Sequence, residues 1–381
     1  MTGPAGPAAA VPALAQDEAF ARIRLLRSPH VGPVSYRQLC ARFGSAAAAI
    51  EALPDLIRQG RKPYQPASPA QVEAEIAAVR RAGARYLFHD SPDYPPLLSH
   101  AEGAPPMLIA RGQAELAARP AVAVVGARNA SAGALKLARQ FAAALAEQGW
   151  AVVSGLARGI DGAAHRGALA GAGSAGGTIG VIASGIDTAY PPEHAELQER
   201  VAHEGLLLAE QPPGTEPLAR HFPVRNRIIA GIAAGTLVVE AAPRSGSLIT
   251  ARLAGELGRE VMAIPGSPLD SRSQGCNQLI RDGATLVQSP EEVIEQLAGF
   301  DGTVRAPLRE SAEPFLLAGG CEPLPDRPAE ILALLSAAPV SVDELIRQSG
   351  AAAAAVQLAL IELELTGRLE RHAGGRVSLG A

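Results

Sequence analysis

Between residues 119 and 300 the chain alternates short, uninterrupted apolar runs with longer helix-like segments, and this alternation restricts the fold more than any other feature. The runs are A-V-A-V-V-G (121–126), A-V-V-S (151–154), T-I-G-V-I-A (178–183), L-L-L-A (206–209), T-L-V-V-E-A (236–241) and E-V-M-A-I-P (260–265), with A-T-L-V (284–287) as a further candidate. Strands covered by helices on both faces need apolar side chains on both faces, so continuous rather than alternating runs are expected. Strand, helix, strand in steady succession predicts a parallel sheet and an α/β fold of extended Rossmann type. Within it, G-A-L-A-G-A-G-S-A-G-G (167–177) has the composition of a flexible loop.

The flanks read differently. Residues 1–16 are rich in Ala, Pro and Gly and are expected to be a disordered tail. Residues 17–82 are helical, and L-L-R-S-P-H-V-G-P-V-S-Y puts a Pro/Gly turn between two periodic segments. This is a helix-hairpin-helix (SAM-like) pattern whose turn amides can hold a phosphate; an ordinary helical hairpin fits equally. The Rossmann domain spans 83–300 and opens on an extended, Pro-interrupted piece, Y-L-F-H-D-S-P-D-Y-P-P-L-L. Residues 301–327, rich in Pro, Gly and Glu, read as a linker. Over 328–381, three helical segments precede a hairpin about Gly374-Gly375, which together predict a winged helix.

Composition narrows the function. A net charge of -4 excludes attraction of polyanions by the whole molecule, so any anion site is a local patch. Cys40, Cys276 and Cys321 lie far apart in no metal-binding or redox spacing, and no apolar run reaches membrane-spanning length. The start, M-T-G-P-A-G-P-A-A-A, lacks the basic region of a secretory signal. The expectation is a reduced, cytoplasmic protein with no metal, no cofactor and no membrane insertion.

In an open parallel sheet, ligands bind beyond the carboxyl ends of the strands, at the switch in strand order. After the first run comes G-A-R-N-A-S. Gly126 permits a tight turn, while Arg128 stands where a dinucleotide fingerprint has its second glycine, so an anion grip is expected rather than NAD or FAD. After the second, Ser154, Gly155 and Gly159 form a close-approach loop carrying Arg158. Asp161 has the position of a helix N-cap, and His165 that of an ordinary helix histidine. No nucleophile stands in a triad pattern. In S-G-I-D-T-A-Y-P-P-E-H, Asp187 and His194 read as loop-stabilising groups rather than an acid/base pair. H-F-P-V-R-N-R then brings Phe222, Arg225, Asn226 and Arg227 to a helix start, with Phe222 offering a face on which a base can stack. R-S-G-S-L-I-T adds Arg244, Ser245, Gly246, Ser247 and Thr250, and G-C-N-Q adds Asn277 and Gln278. Four strand ends thus carry Arg, Ser, Gly and Asn toward one crevice, a lining suited to successive phosphates.

V-V-G-A-R, S-G-L-A-R-G-I-D-G-A-A-H, A-S-G-I-D-T-A-Y-P-P-E-H, F-P-V-R-N-R-I-I-A-G, R-S-G-S-L-I-T-A, A-I-P-G and G-C-N-Q-L-I-R-D-G-A occur in the order and spacing of the DprA/Smf family. Over about residues 85–300 the chain resembles that family, and the helical and winged-helix flanks fit its layout. The resemblance implies an extended Rossmann domain that binds single-stranded DNA, forms a homodimer and loads RecA during natural transformation, without catalysis. By position the family's phosphate-gripping Gly-x-Arg falls on Gly126 and Arg128. Its F-P-x-R-N-R falls on Phe222, Arg225, Asn226 and Arg227, and S-G-x-A-R-G on Ser154, Gly155, Arg158 and Gly159.

Two points temper the carry-over, and one is that no motif marks the residues of the dimer and RecA surfaces, so none is assigned. The third winged-helix segment, A-A-A-A-A-V-Q-L-A-L-I-E-L-E-L, has no basic residue and two glutamates, whereas duplex readers bring Lys or Arg to the groove. A protein-contact or regulatory role is expected of this domain, with Arg368, Arg371 and Arg376 of the wing as the opposing argument. The alternative function is a Rossmann hydrolase of nucleoside monophosphates, for which Glu240 is the nearest carboxylate. On the binding reading, Arg128→Ala and Arg225→Ala each weaken DNA binding and leave the fold intact.

Overall fold

The computed structural model describes residues 15–56, 64–101, 103–171, 176–299, 328–372 and 374–380. The expected tail over 1–16, except its last two residues, and the expected linker over 301–327 lie outside them. Two compact units are present, one within Met1–Glu73 and Ala312–Ala381, the other within Ala74–Ser311.

The larger unit is a nine-stranded sheet. Its strands are β1 (Arg85–Phe88), β2 (Met107–Gly112), β3 (Ala121–Val125), β4 (Ala151–Ser154), β5 (Gly177–Ile182), β6 (Leu206–Ala209), β7 (Gly235–Val238), β8 (Glu260–Ala263) and β9 (Thr285–Leu286). They lie in the order β1-β2-β6-β5-β4-β3-β7-β8-β9. All seven expected runs are strands, and from β6 to β9 all neighbours are parallel. β2 pairs antiparallel with β6, and β1 with β2, closing that edge with M-L-I-A-R-G, which sequence periodicity did not single out. The chain steps outward from β3 through β4, β5 and β6, then returns to lay β7 on the other side of β3. That reversal is the topological switch point.

Helices cover both faces. α6 (Ala132–Glu147), α7 (Ile160–Gly171) and α12 (Pro290–Leu297) bury Phe141, Leu145, Ile160, Ala164 and Val293 against one face. α9 (His221–Ile232), α10 (Ser247–Glu256) and α11 (Gln274–Arg281) bury Ile228, Ile229, Ile232, Ala251 and Cys276 against the other. α8 (Ala195–Glu204) and the C-terminal half of α4 (Pro69–Arg81) close over β2, β5 and β6 with Leu197, Val201 and Val79. α5 (Pro96–Ser99) is a single turn set against α9, where Leu98 lies over Gly231.

The loop expectation for 167–177 is corrected at its two ends, in α7 and at Gly177 of β5, while 172–175 lie outside the described residues. Residues 167–171 are the last turn of α7, and a Cβ on Gly167 or Gly171 would lie 2.3 Å or 2.4 Å from the carbonyl oxygens of Arg139 or Ala143 on α6. Glycines four apart share one helix face, so here they admit a neighbouring backbone.

The smaller unit contains α1 (Gln16–Leu26), α2 (Pro33–Phe43) and α3 (Ala46–Leu56), then α13 (Pro328–Leu334), α14 (Val342–Ser349) and α15 (Ala353–Leu365). The C-terminal helices carry a three-stranded sheet of β10 (Val340–Ser341), β12 (Arg376–Leu379) and β11 (Leu369–His372) in that spatial order. Gly374 and Gly375, both at positive φ, turn the hairpin between β11 and β12. This is a helical hairpin domain and a winged helix, as the sequence predicts.

Candidate functional site

A crevice of about 610 Å³ opens where β3 and β7 part, at the switch point. Gly126, Arg128 and Asn129 after β3 line one wall, and Arg244, Ser245, Gly246, Ser247 and Thr250 after β7 line another. Phe222, Pro223, Arg225 and Asn226 of α9 close a third side, with Ala157, Asp161 and Arg272 at the margins. A larger hollow of about 900 Å³ lies along α10, α11 and β8. The smaller one holds the convergent strand ends and most of the expected residues, and is the candidate site.

Local rules explain the shape. Gly126 is pressed between Ile160 and the Glu240 carbonyl, which a Cβ would approach to 2.9 Å. Gly159, at φ +75°, passes the Ala127 carbonyl so closely that a Cβ would come within 2.1 Å. These two glycines let the loops after β3 and β4 touch. Ser131 caps α6, its hydroxyl accepting from the Ala134 amide at 3.1 Å.

The arginines divide into two groups. Arg128 and Arg244 are exposed and line the crevice. The Arg128 guanidinium lies 5.0 Å from the Phe222 ring centroid, and Phe222 lies 5.6 Å from the ring of Tyr190, tilted by 59°. Cation, ring and ring form a continuous strip at the mouth, and Tyr190 is 42% exposed. Arg272, beside them, is held in a paired fork by Asp270 at 2.9–3.1 Å.

Arg225 is only 6% exposed. Its Nη1 donates to the Val181 carbonyl at 2.7 Å, its Nε has no partner among the described residues, and it faces the Asp161 carboxylate. Burial brings its guanidinium down to about 10, against the opposing pull of Asp161, while Arg128 adds to the lowering. Burial likewise raises Asp161, with Arg225 and the amides of Gly155 (3.2 Å) and Ala157 (3.4 Å) pulling back. Asp161 therefore secures the loop behind it and is no N-cap in the ordinary sense, since its amides precede it in sequence.

The expectation of one shared crevice is corrected at several residues. Arg225 occupies the first position of the buried stripe 225-228-229-232, so it points inward. Arg227 donates to the Gly103 carbonyl (2.6 Å) and to Glu210 (2.5 Å), away from the crevice. Ser154 is fully buried and donates to the Val124 carbonyl at 2.7 Å. Gly155 gives its side-chain space to Arg225. Arg158 is paired with Glu193 outside the lining. Asn277 borders the larger hollow and exchanges two hydrogen bonds with the backbone of Gly266, at 3.1 Å and 3.0 Å.

The remaining polar groups are structural. His165 is fully buried on Thr178 (2.7 Å), and burial first, then His194, lowers it to about 3. His194 contacts the Leu156 carbonyl at 2.9 Å, and Asp187 accepts from the Gly214 amide at 2.7 Å. Glu240 accepts the Ser131 amide at 3.0 Å and the Ser131 hydroxyl at 2.7 Å, one on each oxygen. Among the described residues no cluster of His, Cys, Asp and Glu could hold a metal, and no helix is long and apolar enough to cross a membrane.

Known proteins share this architecture. The family model for DNA recombination-mediator protein A matches residues 85–298, that for the DprA-like N-terminal HHH domain residues 16–78, and that for the DprA winged helix domain residues 321–375. Protein Smf of Escherichia coli strain K12 is 38% identical over 310 residues, 81% of each chain. The X-ray structure of DNA processing protein A from Streptococcus pneumoniae superposes with a TM-score of 0.61 at 35% identity, covering 74% of this chain and 98% of that one. DNA processing protein A from Helicobacter pylori, characterised structurally for its single-stranded DNA binding mode, gives 0.50 at 27% identity over 56% of this chain and 95% of that one.

Proposed function

The chain belongs to the DprA family of DNA recombination mediators, and on that premise we propose that it binds single-stranded DNA in the crevice between the ends of β3 and β7. The observation that carries this reading is the charge of the lining. Arg128 and Arg244 are exposed along the crevice, while Arg225 and Arg272, which also border it, face Asp161 and Asp270, and Asp161 is itself turned onto amides. A chain of net charge -4 that concentrates guanidinium groups at one switch point has built a local anion site. Its relative from Helicobacter pylori binds single-stranded DNA, which supports the same ligand here.

In this reading Arg128 and Arg244 contact phosphates, and Gly126, Ser245, Gly246, Thr250 and Asn226 shape the backbone path. Phe222 and Tyr190 provide stacking surfaces. Arg225 acts from below by holding Gly155, Asp161 and the floor in place, and Arg158 joins the track only by leaving Glu193. Handing the strand to RecA, in natural transformation or another recombination task, and action as a cytoplasmic homodimer belong to the same proposal and rest on family membership. The test is binding of oligo-dT across a salt series. Affinity is expected to fall with a log–log slope of about 0.7 per phosphate neutralised on a single strand. A salt-independent affinity, or equal affinity for duplex, overturns it.

A further inference from the structure

We propose that the winged helix serves this protein as a docking module for its own N-terminal helical domain, and that the two domains have given up their DNA-facing surfaces to each other. In a winged helix the third helix, here α15, is the element that enters a groove. α15 has apolar residues on two faces. Val356, Ala359, Leu360 and Leu363 fill the winged-helix core with Ile331, Leu345 and Val377. Ile361 and Leu365 enter a different core, packed with Leu25, Tyr36, Leu39 and Leu53 of the N-terminal helices. Two apolar faces on one helix call for two burying partners, and α15 packs into both cores.

Polar groups fix the register of this contact. Gln38 Nε2 donates to Gln357 Oε1 at 2.6 Å. Arg371 of the wing donates to Glu364 at 2.7 Å and to Gln38 Oε1 at 3.4 Å, so one of the three wing arginines is used up here.

The same contact covers the other domain's candidate phosphate site. The turn between α1 and α2 runs from Ser28 to Gly32. The Gly32 amide, one of the donors a phosphate would need, already gives its hydrogen bond to Ser35 Oγ at 2.9 Å. A Cβ on Gly32 would sit 3.4 Å from the Glu364 carboxylate, so a phosphate there meets a like charge. On the other side of the turn, His30 lies against Gly367, whose Cβ would be 3.1 Å from the imidazole. One contact thus accounts for the lack of basic residues on α15 and for the occupied hairpin turn.

The experiment uses the full chain with a site-specific protease sequence placed within 308–314. After cleavage, the C-terminal piece is expected to co-elute with the remainder in size exclusion at micromolar concentration. With the native cysteines replaced by serine, Gln38→Cys and Gln357→Cys are expected to join the two pieces through a short bis-maleimide. Ile361→Lys is expected to weaken retention at least about tenfold. Should circular dichroism show that this variant unfolds the released piece, Gln357→Arg, which leaves both cores intact and adds a cation beside Gln38 and Arg371, is expected to act in the same direction. Release of the unsubstituted piece on cleavage, or retention without the Gln38–Gln357 cross-link, overturns the proposal.

Discussion

The guanidinium of Arg225 occupies the space that a side chain at Gly155 would need: a Cβ there would lie 1.7 Å from Nη1. With Asp161 facing the same guanidinium, the three residues form a buried floor under the crevice. Gly155→Ala is therefore expected to destabilise by about 1–3 kcal/mol or more through overpacking. Arg225→Ala leaves Asp161 buried without its cation, at a cost of about 3–5 kcal/mol. Thermal denaturation should show a clear drop for both, and none for Arg128→Ala. This revises the expectation that Arg225→Ala spares the fold. An Arg225→Ala protein that melts like its parent contradicts the buried floor.

The two exposed arginines are the discriminating DNA variants. Arg128→Ala and Arg244→Ala are each expected to weaken oligo-dT binding and to flatten its salt dependence by about one ion. Arg227→Ala, whose guanidinium serves Gly103 and Glu210, should lower thermal stability and keep the salt slope unchanged. Fluorescence anisotropy at several salt concentrations separates the two patterns.

Sequence periodicity revealed the seven parallel strands because a strand covered on both faces must be apolar throughout. It did not reveal β2, whose antiparallel pairing with β6 depends on contacts far along the chain; β1, which pairs with β2, begins the piece that reads as extended. The strand-end rule brought Arg128, Phe222 and Arg244 to the right place. It failed for Arg225 and Arg227, since adjacency in sequence says nothing of helix face. The stripe 225-228-229-232 carried that information, and its apolar members mark Arg225 as inward. Tyr190 was passed over because its partner, Phe222, lies 32 residues away in sequence, and the rings meet only once the loop after β5 folds over α9.

Stacking gives a separate prediction. Phe222 has the Arg128 guanidinium at 5.0 Å and the Tyr190 ring at 5.6 Å from its ring centroid. If bases rest on this strip, Tyr190→Ala and Phe222→Ala each weaken binding by about 1–3 kcal/mol, while Tyr190→Phe keeps most of it. An abasic oligonucleotide should lose the difference between Tyr190→Ala and the parent. Equal losses on normal and abasic strands would assign the ring a packing role.

His165 makes stability depend on pH. Its folded-state pKa is held near 3 against an ordinary 6.5, so below 6.5 the unfolded chain binds a proton that the folded one refuses. Its contribution is fully present above 6.5 and is lost as pH falls toward 3. Between pH 7 and pH 5 the loss is about 2 kcal/mol. Asp161, raised by burial, has the opposite sign, its contribution being present below its ordinary 3.8 and lost as pH rises through the folded value. Comparing His165→Gln with the parent at pH 7 and pH 5 isolates the histidine. The variant should show the smaller decline.

Glu240 decides between binding and hydrolysis of nucleoside monophosphates. Both oxygens of Glu240 accept from Ser131, at 3.0 Å and 2.7 Å, the residue is 6% exposed, and it lies outside the crevice lining, so its carboxylate is committed to the α6 cap. Its work is to fix the residue that caps α6 and so to hold the loop carrying Arg128. Glu240→Gln replaces one acceptor with a donor facing the Ser131 amide or hydroxyl, and is expected to destabilise by about 1–3 kcal/mol. Arg128 would be positioned less well, so oligo-dT affinity should fall as well. Incubating the parent with each nucleoside monophosphate should release no free base detectable by chromatography. Turnover in the parent that vanishes in Glu240→Gln while the melting temperature holds would mean that the carboxylate leaves Ser131 to do chemistry, and would favour the hydrolase.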